Sequence, residues 1–487
     1  MHTPTVEPWM LLAGVLVMLA ILATRLSARL GVPALTLFLA TGMFFGSDGP
    51  GGIWFDDPAL TWSVGTVALA VLLYAAGMET PLAAVRAVVG PGLVLATVGV
   101  AASAGLTALF YHHAFGRPLG EGFLLGAIVS STDAAAVFGV LRASGLHLRG
   151  RIQPLLEMES GSNDPVAILL TLAASAALVG QSPAVGSVLL GMGGQLVLGV
   201  TAGLLGGRGI AWAANRLRVP QEGLTPVFVL AAGLALFGLT ALLHGSGYLA
   251  VYVAGLGLGA APLLRRRAIL RFHDALAWLA QIGTFVLLGL LVFPSRLPGV
   301  AAEGLAVAAF LLFVARPLSV LLALGPFGVP LREQAMVAWV GLRGAVPIVL
   351  ATWPRVLGVP GAEEIFDVVF FVVLVSVLVQ GTSLPWVARR LGVAEPLPAA
   401  EAELDAAAGE GRGARTVRVA VGPALEGRRL LDAGLPAGAL VALVERDGAQ
   451  IVPQGGTLLH AGDVVLVVVQ VGQEAAVRGA LEGPPVG

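Results

Sequence analysis

The chain has 487 residues and a net charge of -1 at neutral pH; 57% of its residues are hydrophobic, only 12% are charged, and the mean hydropathy is +0.90. A soluble globule carries about 25% charged residues, so these values exclude one and make the lipid bilayer the implied solvent. The small net charge argues against a nucleic-acid partner, and the lack of cysteine excludes a disulfide framework, a thiolate metal site and a cysteine nucleophile.

The first apolar stretch, Trp9 to Thr24, has no basic segment before it and is followed by Arg25 and Arg29. A cleavable signal carries its charge on the other side, so this stretch reads as a permanent span whose end faces the cytoplasm. Apolar windows of about 20 residues, the length that crosses a hydrocarbon layer of about 30 Å, recur as far as Trp386. About thirteen are expected, near 8–27, 32–46, 59–79, 89–111, 120–141, 153–178, 184–207, 223–243, 246–262, 272–293, 299–323, 333–354 and 364–386. Arginine is retained on the cytoplasmic side, and the odd windows end beside Arg86, Arg142, Arg149, Arg151, Arg216, Arg265 to Arg267, Arg389 and Arg390, against Arg117, Arg296 and Arg355 on the other face. This places the N-terminus outside and everything after Arg390 in the cytoplasm.

Ionisable groups in mid-span cost roughly 2.5 to 3.5 kcal/mol each on insertion scales, so the few present mark function. Glu79 ends the third window, where it serves either as a gate or accessory ligand or as an interfacial carboxylate that merely reaches water. His112 and His113 adjoin an outer loop and read as solvated. The fifth window holds Ser130, Ser131, Thr132 and Asp133; the sixth holds Glu159, Ser160, Ser162, Asn163 and Asp164. Carboxylates, hydroxyls and freed backbone carbonyls are the oxygens a dehydrated alkali cation needs, and Gly161, Pro165 and the Ser-Ser-Thr run favour local helix breaks that would expose such carbonyls. A carboxylate that takes either a cation or a proton makes the two compete, and competition exposed alternately to each side is antiport. The bland alternative for Asp133 and Asp164 is a hydrogen-bonded pair fastening two helices; Thr132, Ser160 and Asn163 also suit plain helix packing. Gly255, Gly257 and Gly259 imitate part of a dinucleotide loop but sit in an apolar window with no strand before them, so they read as helix packing. In the twelfth window Arg343 needs a partner, and Glu159 is the most economical choice.

All 28 basic residues are Arg, so a fixed cation in the core is a guanidinium that stays charged at every relevant pH. Beyond the last window, 393–412 is rich in Ala, Glu, Pro and Gly and reads as a linker between a transmembrane domain, 1–392, and a small soluble α+β domain, 413–487. Its β-branched runs are Thr416 to Val421, Ala439 to Glu445 and Val464 to Gln470, with Gln473 to Leu481 as a closing helix. A domain of about 75 residues is small for an independent core, which suits pairing with a second copy.

Three motifs, Ser-Thr-Asp-Ala-Ala-Ala-Val at 131–137, Glu-Ser-Gly-Ser-Asn-Asp-Pro-Val-Ala at 159–167 and Gly-Leu-Arg-Gly-Ala-Val-Pro at 341–347, together resemble the monovalent cation:proton antiporter family on its sodium/proton exchanger branch. The resemblance implies an all-α polytopic protein of two inverted repeats plus an extra helix, with crossed, unwound helices and a homodimer. It implies Asp164 as the main cation and proton carboxylate, with Asp133, Ser160, Glu79 and Thr132, the last through its backbone, as further ligands. Asn163 would order the site, and Glu159 would pair with Arg343. Asn before the essential Asp resembles the electroneutral members. The tail resembles the C-terminal lobe of domains that regulate potassium conductance, an arrangement similar to bacterial potassium/proton antiporters. Without the companion nucleotide-binding lobe, a nucleotide or cyclic dinucleotide ligand stays open.

The expectation is a bacterial inner-membrane antiporter, not an enzyme and without a cofactor, exporting potassium, with sodium open as a further substrate, against protons. The rival readings are sodium selectivity by the same mechanism, a cation channel gated by the tail, and a transport-dead sensor.

Overall fold

In hydrocarbon every backbone N–H and C=O must be satisfied within the chain, which leaves helices as the means of crossing for windows of this length. The computed structural model describes residues 7–30, 33–181, 185–217, 221, 223–396, 414–436, 438–446, 449–451, 453–470 and 472–482. They divide into two compact units, Met1–Glu395 and Pro396–Gly487. The linker expected over 393–412 lies, from 397 onward, outside the described residues.

The first unit is helical. Its helices are α1 (Glu7–Leu30), α2 (Ala34–Phe45), α3 (Pro58–Glu79), α4 (Leu82–Val94), α5 (Val100–Phe115), α6 (Leu119–Ile128), α7 (Ala134–Ala143), α8 (Ile152–Leu178) and α9 (Val185–Arg216). After these come α10 (Leu224–Leu242), α11 (Gly247–Ala260), α12 (Arg266–Leu291), α13 (Leu297–Phe310), α14 (Arg316–Leu324), α15 (Leu331–Trp339), α16 (Ala345–Leu357) and α17 (Ala362–Arg390). Eight helices among the described residues are long and apolar enough to cross a membrane, and shorter apolar ones accompany them. A π turn, Leu95–Gly99, joins α4 to α5, and another, Leu311–Ala315, joins α13 to α14, so each pair is one continuous rod. The pairs α6/α7 and α15/α16 are each two halves of a broken span.

These features recur as a repeat. A π-bulged rod, a broken span and a long helix (α4 to α8) return as α13 to α17, an odd number of spans later and therefore running the opposite way. Pro118 and Pro330 open the two broken spans with matching backbone, ψ 139° and 141°. The two rods touch where Ser103 Oγ donates to Ser319 Oγ at 2.9 Å, residues 216 apart in sequence. The break expected at the Ser-Ser-Thr run is present; the one expected at Gly161 and Pro165 is not, because α8 runs through both. Pro165 deletes only the bond that the Gly161 carbonyl would accept, and tight packing holds the helix around it: a Cβ on Gly161 would lie 2.1 Å from the Tyr252 ring. The second break falls at 340–344 instead.

Helices α1–α3 and α9–α12 pack mainly among themselves, and the repeat units form a second bundle around the breaks. Glycine sets the close approaches within the first bundle: a Cβ on Gly255 would meet the Tyr74 carbonyl at 2.5 Å and one on Gly259 the Met78 carbonyl at 2.3 Å, so these glycines of α11 serve contact with α3. A short ladder of β1 (Leu146–Leu148) and β2 (Ala394–Pro396) links the segment after α7 to the end of α17.

The second unit is a four-stranded antiparallel sheet, β3 (Ala414–Ala420), β4 (Leu440–Arg446), β5 (Ala449–Ile451) and β6 (Val464–Gln470), in the order β3-β6-β4-β5, covered by α18 (Glu474–Glu482). Val465, Val467 and Val469 alternate inward from β6 and meet Val477 and Leu481 of α18. Asp463 is buried at the turn before β6; it accepts from Arg446 at 2.8 and 2.7 Å and from the His460 N–H at 2.9 Å, and the Arg446 bond holds its carboxyl below the usual range. A depressed folded pKa means stability that is present above the ordinary aspartate pKa and lost as pH falls through the folded value. Asp463→Asn is therefore expected to destabilise this unit by about 2 kcal/mol near pH 7 and by progressively less as the pH falls through the folded pKa, read as hydrogen exchange of the β6 amides over that pH series.

Candidate functional site

The site is built where the two breaks cross. α6 ends at Ile128, with a last helical bond from the Val129 N–H to the Leu125 carbonyl, and α7 starts after Asp133, so 130–133 lie outside both helices; α15 ends at Trp339 and α16 starts after Gly344. Freed groups of one break are satisfied by the other: the Asp133 N–H donates to the Leu342 carbonyl at 2.8 Å, and Arg343 Nη1 donates to the Ser131 carbonyl at 2.7 Å. The crossing is tight, since a Cβ on Gly344 would lie 2.2 Å from Asp133 Oδ2. Only glycine fits there. Asp133 caps α7 by accepting from the Ala136 N–H at 3.0 Å, so its carboxylate sits at the positive end of a half-helix dipole.

α8 passes alongside and presents Glu159, Ser160, Asn163 and Asp164 from its middle. Asp164 is buried and accepts a hydrogen bond from Ser131 Oγ, with Asp133 as its acidic neighbour. Ser160 Oγ donates to the Thr132 carbonyl at 2.9 Å and accepts from the Ala134 N–H at 3.3 Å. Asn163 Nδ2 donates to Thr132 Oγ1 at 2.6 Å, while its Oδ1 is buried with no donor among the described residues. Asp133, Thr132, Ser160, Asn163 and Asp164 thus meet in one place, together with Ser131.

Two placements differ from the sequence reading. Glu159, fully buried, pairs with Arg316 rather than Arg343, through two bonds of 2.5 and 2.9 Å. Arg316 opens α14 directly after the π turn, whose extra residue re-aims the next side chain towards α8. Arg343 is left with the Ser131 carbonyl and, through its backbone N–H, Ser376 Oγ at 3.0 Å; Ser376 donates to Gln380, which donates to the Trp339 carbonyl. The two guanidiniums flank a small cavity of about 20 Å³ that Ser376 and Gln380 also line. The signal for Arg316 was in the sequence, as a lone guanidinium inside the apolar window 299–323. Glu79 is not brought to Asp164. It is exposed at the end of α3, with Asp274, Arg142 and Glu157 as its charged neighbours.

Access is asymmetric. At the N-terminal end of α8 a cavity of about 280 Å³ is lined by Pro81, His147, Gln153 and Glu157 among others. At the opposite end the two bundles close on each other: Trp62 of α3 packs on Trp353 of α16 at 4.8 Å between ring centres, and Arg355 pairs with Asp56 at 2.7 Å.

A model of the family described as "Sodium/hydrogen exchanger, transmembrane" matches residues 15–390, and a TrkA-C domain model matches residues 414–481. The chain is 40% identical over 484 residues to the "K(+)/H(+) antiporter NhaP2" of Shewanella sp. (strain MR-4), covering 98% of this chain and 83% of that protein. It is 42% identical over 386 residues to the "K(+)/H(+) antiporter NhaP" of Alkalimonas amylolytica, covering 79% of this chain and 67% of that one. The fold is similar to that of the sodium proton antiporter MjNhaP1 from Methanocaldococcus jannaschii, with a TM-score of 0.68 and 24% identity over 78% of this chain and 97% of that chain.

Proposed function

The chain belongs to the sodium/hydrogen exchanger family, and from that membership we propose that it is a potassium/proton antiporter of a bacterial inner membrane, working as a homodimer, with its N-terminus outside and the TrkA-C unit in the cytoplasm. The observation that carries this reading is the junction of Asp133, held at the broken span, with Asp164, buried midway along α8 and bonded to Ser131 of the same break. Thr132 and Ser160 add oxygens, and Asn163 orders the pair. Potassium comes from the printed names of the relatives at about 40% identity.

The charges support one-for-one exchange. Asp133, Asp164 and Glu159 carry three negative charges when ionised, against the two fixed positive charges of Arg316 and Arg343. One monovalent cation, or one proton, neutralises the remainder, and each form can move through low dielectric while a bare excess charge is held back. With arginine-rich ends taken as cytoplasmic, the cavity beside Glu157 is the inner entry, and the Trp62–Trp353 and Arg355–Asp56 contacts close the outer one. The TrkA-C unit is the regulator, with a nucleotide or cyclic dinucleotide as the proposed class of ligand.

In proteoliposomes carrying a pH dye, with the voltage set by a lipophilic ion at fixed potassium concentrations, potassium is expected to drive proton movement at a rate that does not change with voltage. A response to sodium alone would end the potassium assignment and leave a sodium/proton antiporter. Single-channel currents would replace the carrier with a tail-gated channel.

A further inference from the structure

The helix that carries Asp164 has hydroxyls the site does not use. Thr171 and Ser175 are fully buried, and neither Oγ has a hydrogen-bond partner among the described residues. That is unusual in this chain. Thr41, Thr97, Thr107, Thr240 and Thr284, also within helices, each donate to the carbonyl four residues back at 2.7 Å. Among the described residues Thr36, on α2, shares the unpartnered state, while Thr66 of α3 bonds with the Tyr248 hydroxyl. A buried hydroxyl with no partner costs about 1–3 kcal/mol, and rotation about one bond ordinarily removes that cost inside a helix by donating to the preceding turn.

Their spacing supplies a reason. Steps of seven and eleven residues are close to whole turns, so Asp164, Thr171 and Ser175 lie on one face of α8, about 10 and about 16 Å apart along its axis. Half the hydrocarbon layer is about 15 Å, so the stripe leads from the carboxylate to the end of α8 opposite the Glu157 cavity. Towards that cavity the same face carries Glu157, a further seven residues back, which lines it. The same face carries hydroxyls in its outer half and lines the Glu157 cavity in its inner half.

We infer that Thr171 and Ser175 form the outer leg of the exchange path, their oxygens serving the potassium ion and proton that pass between Asp164 and the outer face once the bundles separate there. The inference rests on the antiport reading above. A hydroxyl can both accept from a proton-bearing water and ligate a dehydrated cation, and one kept free of the backbone is ready to do either. The cost of leaving it unpaired falls on the closed conformation seen here and is relieved on opening.

The test uses the full-length protein in proteoliposomes of determined orientation, comparing Thr171→Val, Ser175→Ala and Thr171→Ser with the unaltered chain. Thr171→Val and Ser175→Ala are expected to raise or preserve the melting temperature, since each deletes an unsatisfied buried oxygen. They are expected to slow exchange about fivefold each, the factor carried by one hydrogen bond of ordinary strength. The apparent KM for potassium is expected to rise on the outer face and stay constant on the inner one, and Thr171→Ser, which keeps the oxygen, is expected to recover most of the rate. Exchange at the unaltered rate in Thr171→Val and Ser175→Ala overturns the inference, as does an equal KM rise on both faces. Loss of folded protein in Thr171→Val with normal yield in Thr171→Ser also overturns it, because the hydroxyl would then be structural. Failure of the unaltered chain to exchange potassium for protons would instead overturn the antiport reading itself.

Discussion

Asp164→Asn is expected to reduce cation-driven proton movement to the level of empty vesicles while leaving folded yield close to normal. The amide fills the same space and can still accept from Ser131 Oγ, so packing is kept, but it neither carries a proton across nor offers a full negative charge to a cation. Asp133 does not replace it. That carboxylate is committed to the Ala136 N–H at the start of α7 and lies at the positive end of the half helix, so Asp133→Asn is expected to weaken exchange and also to loosen the cap. The competition itself can be read from binding. With one proton displacing one cation at Asp164, the apparent affinity for potassium falls about tenfold for each pH unit below the carboxylate's own pKa. A hundredfold fall per unit would require two protons for one cation, and the charge balance with Arg316 and Arg343 would then be wrong. Normal exchange by Asp164→Asn would remove Asp164 from the mechanism altogether.

Much of this arrangement was legible because membrane burial makes polar residues conspicuous. Asp133, Thr132, Ser160, Asn163 and Asp164 stood out against windows of Leu, Val and Ala, and the Ser-Ser-Thr run correctly marked a place where the backbone leaves the helix. The break expected around Gly161 and Pro165 failed because local propensity competes with packing: the Tyr252 ring fills the space that glycine leaves and braces the helix across the missing hydrogen bond. The second break, at 340–344, has only glycines as its local signal. What makes it a break is the other break, whose Asp133 N–H and Ser131 carbonyl take up the freed Leu342 carbonyl and the Arg343 side chain. No single window contains that information. Glu79 stood open between an accessory ligand and an interfacial carboxylate, because sequence fixes the depth of a residue better than the direction in which it points; it is exposed, and the end of α3 turns it towards Glu157 and Arg142.

Arg316→Ala is expected to cost about 3–5 kcal/mol and to remove most of the folded protein, since stabilities of 5–15 kcal/mol leave little margin. It would strand the Glu159 carboxylate, of which 1% is exposed, and leave the Val337 carbonyl without the bond Arg316 Nη2 gives it. The loss comes from an unpaired buried charge rather than from the strength of the pair, so removing the second charge should repair it: Arg316→Met with Glu159→Gln is expected to recover most of the yield. Arg343→Ala makes the opposite case. It leaves Glu159 with Arg316 and deletes one charged bond, to the Ser131 carbonyl, at about 1.5–3 kcal/mol. Ser131 is also the donor to Asp164, so the injury passes to the carboxylate and should lower the exchange rate more than the yield. Thermal unfolding in detergent and exchange in vesicles, measured on the same preparations, separate the two arginines. Should Glu159→Gln rescue Arg343→Ala and not Arg316→Ala, the pairing would be reversed, and Arg343 would be the counter-ion of Glu159 after all.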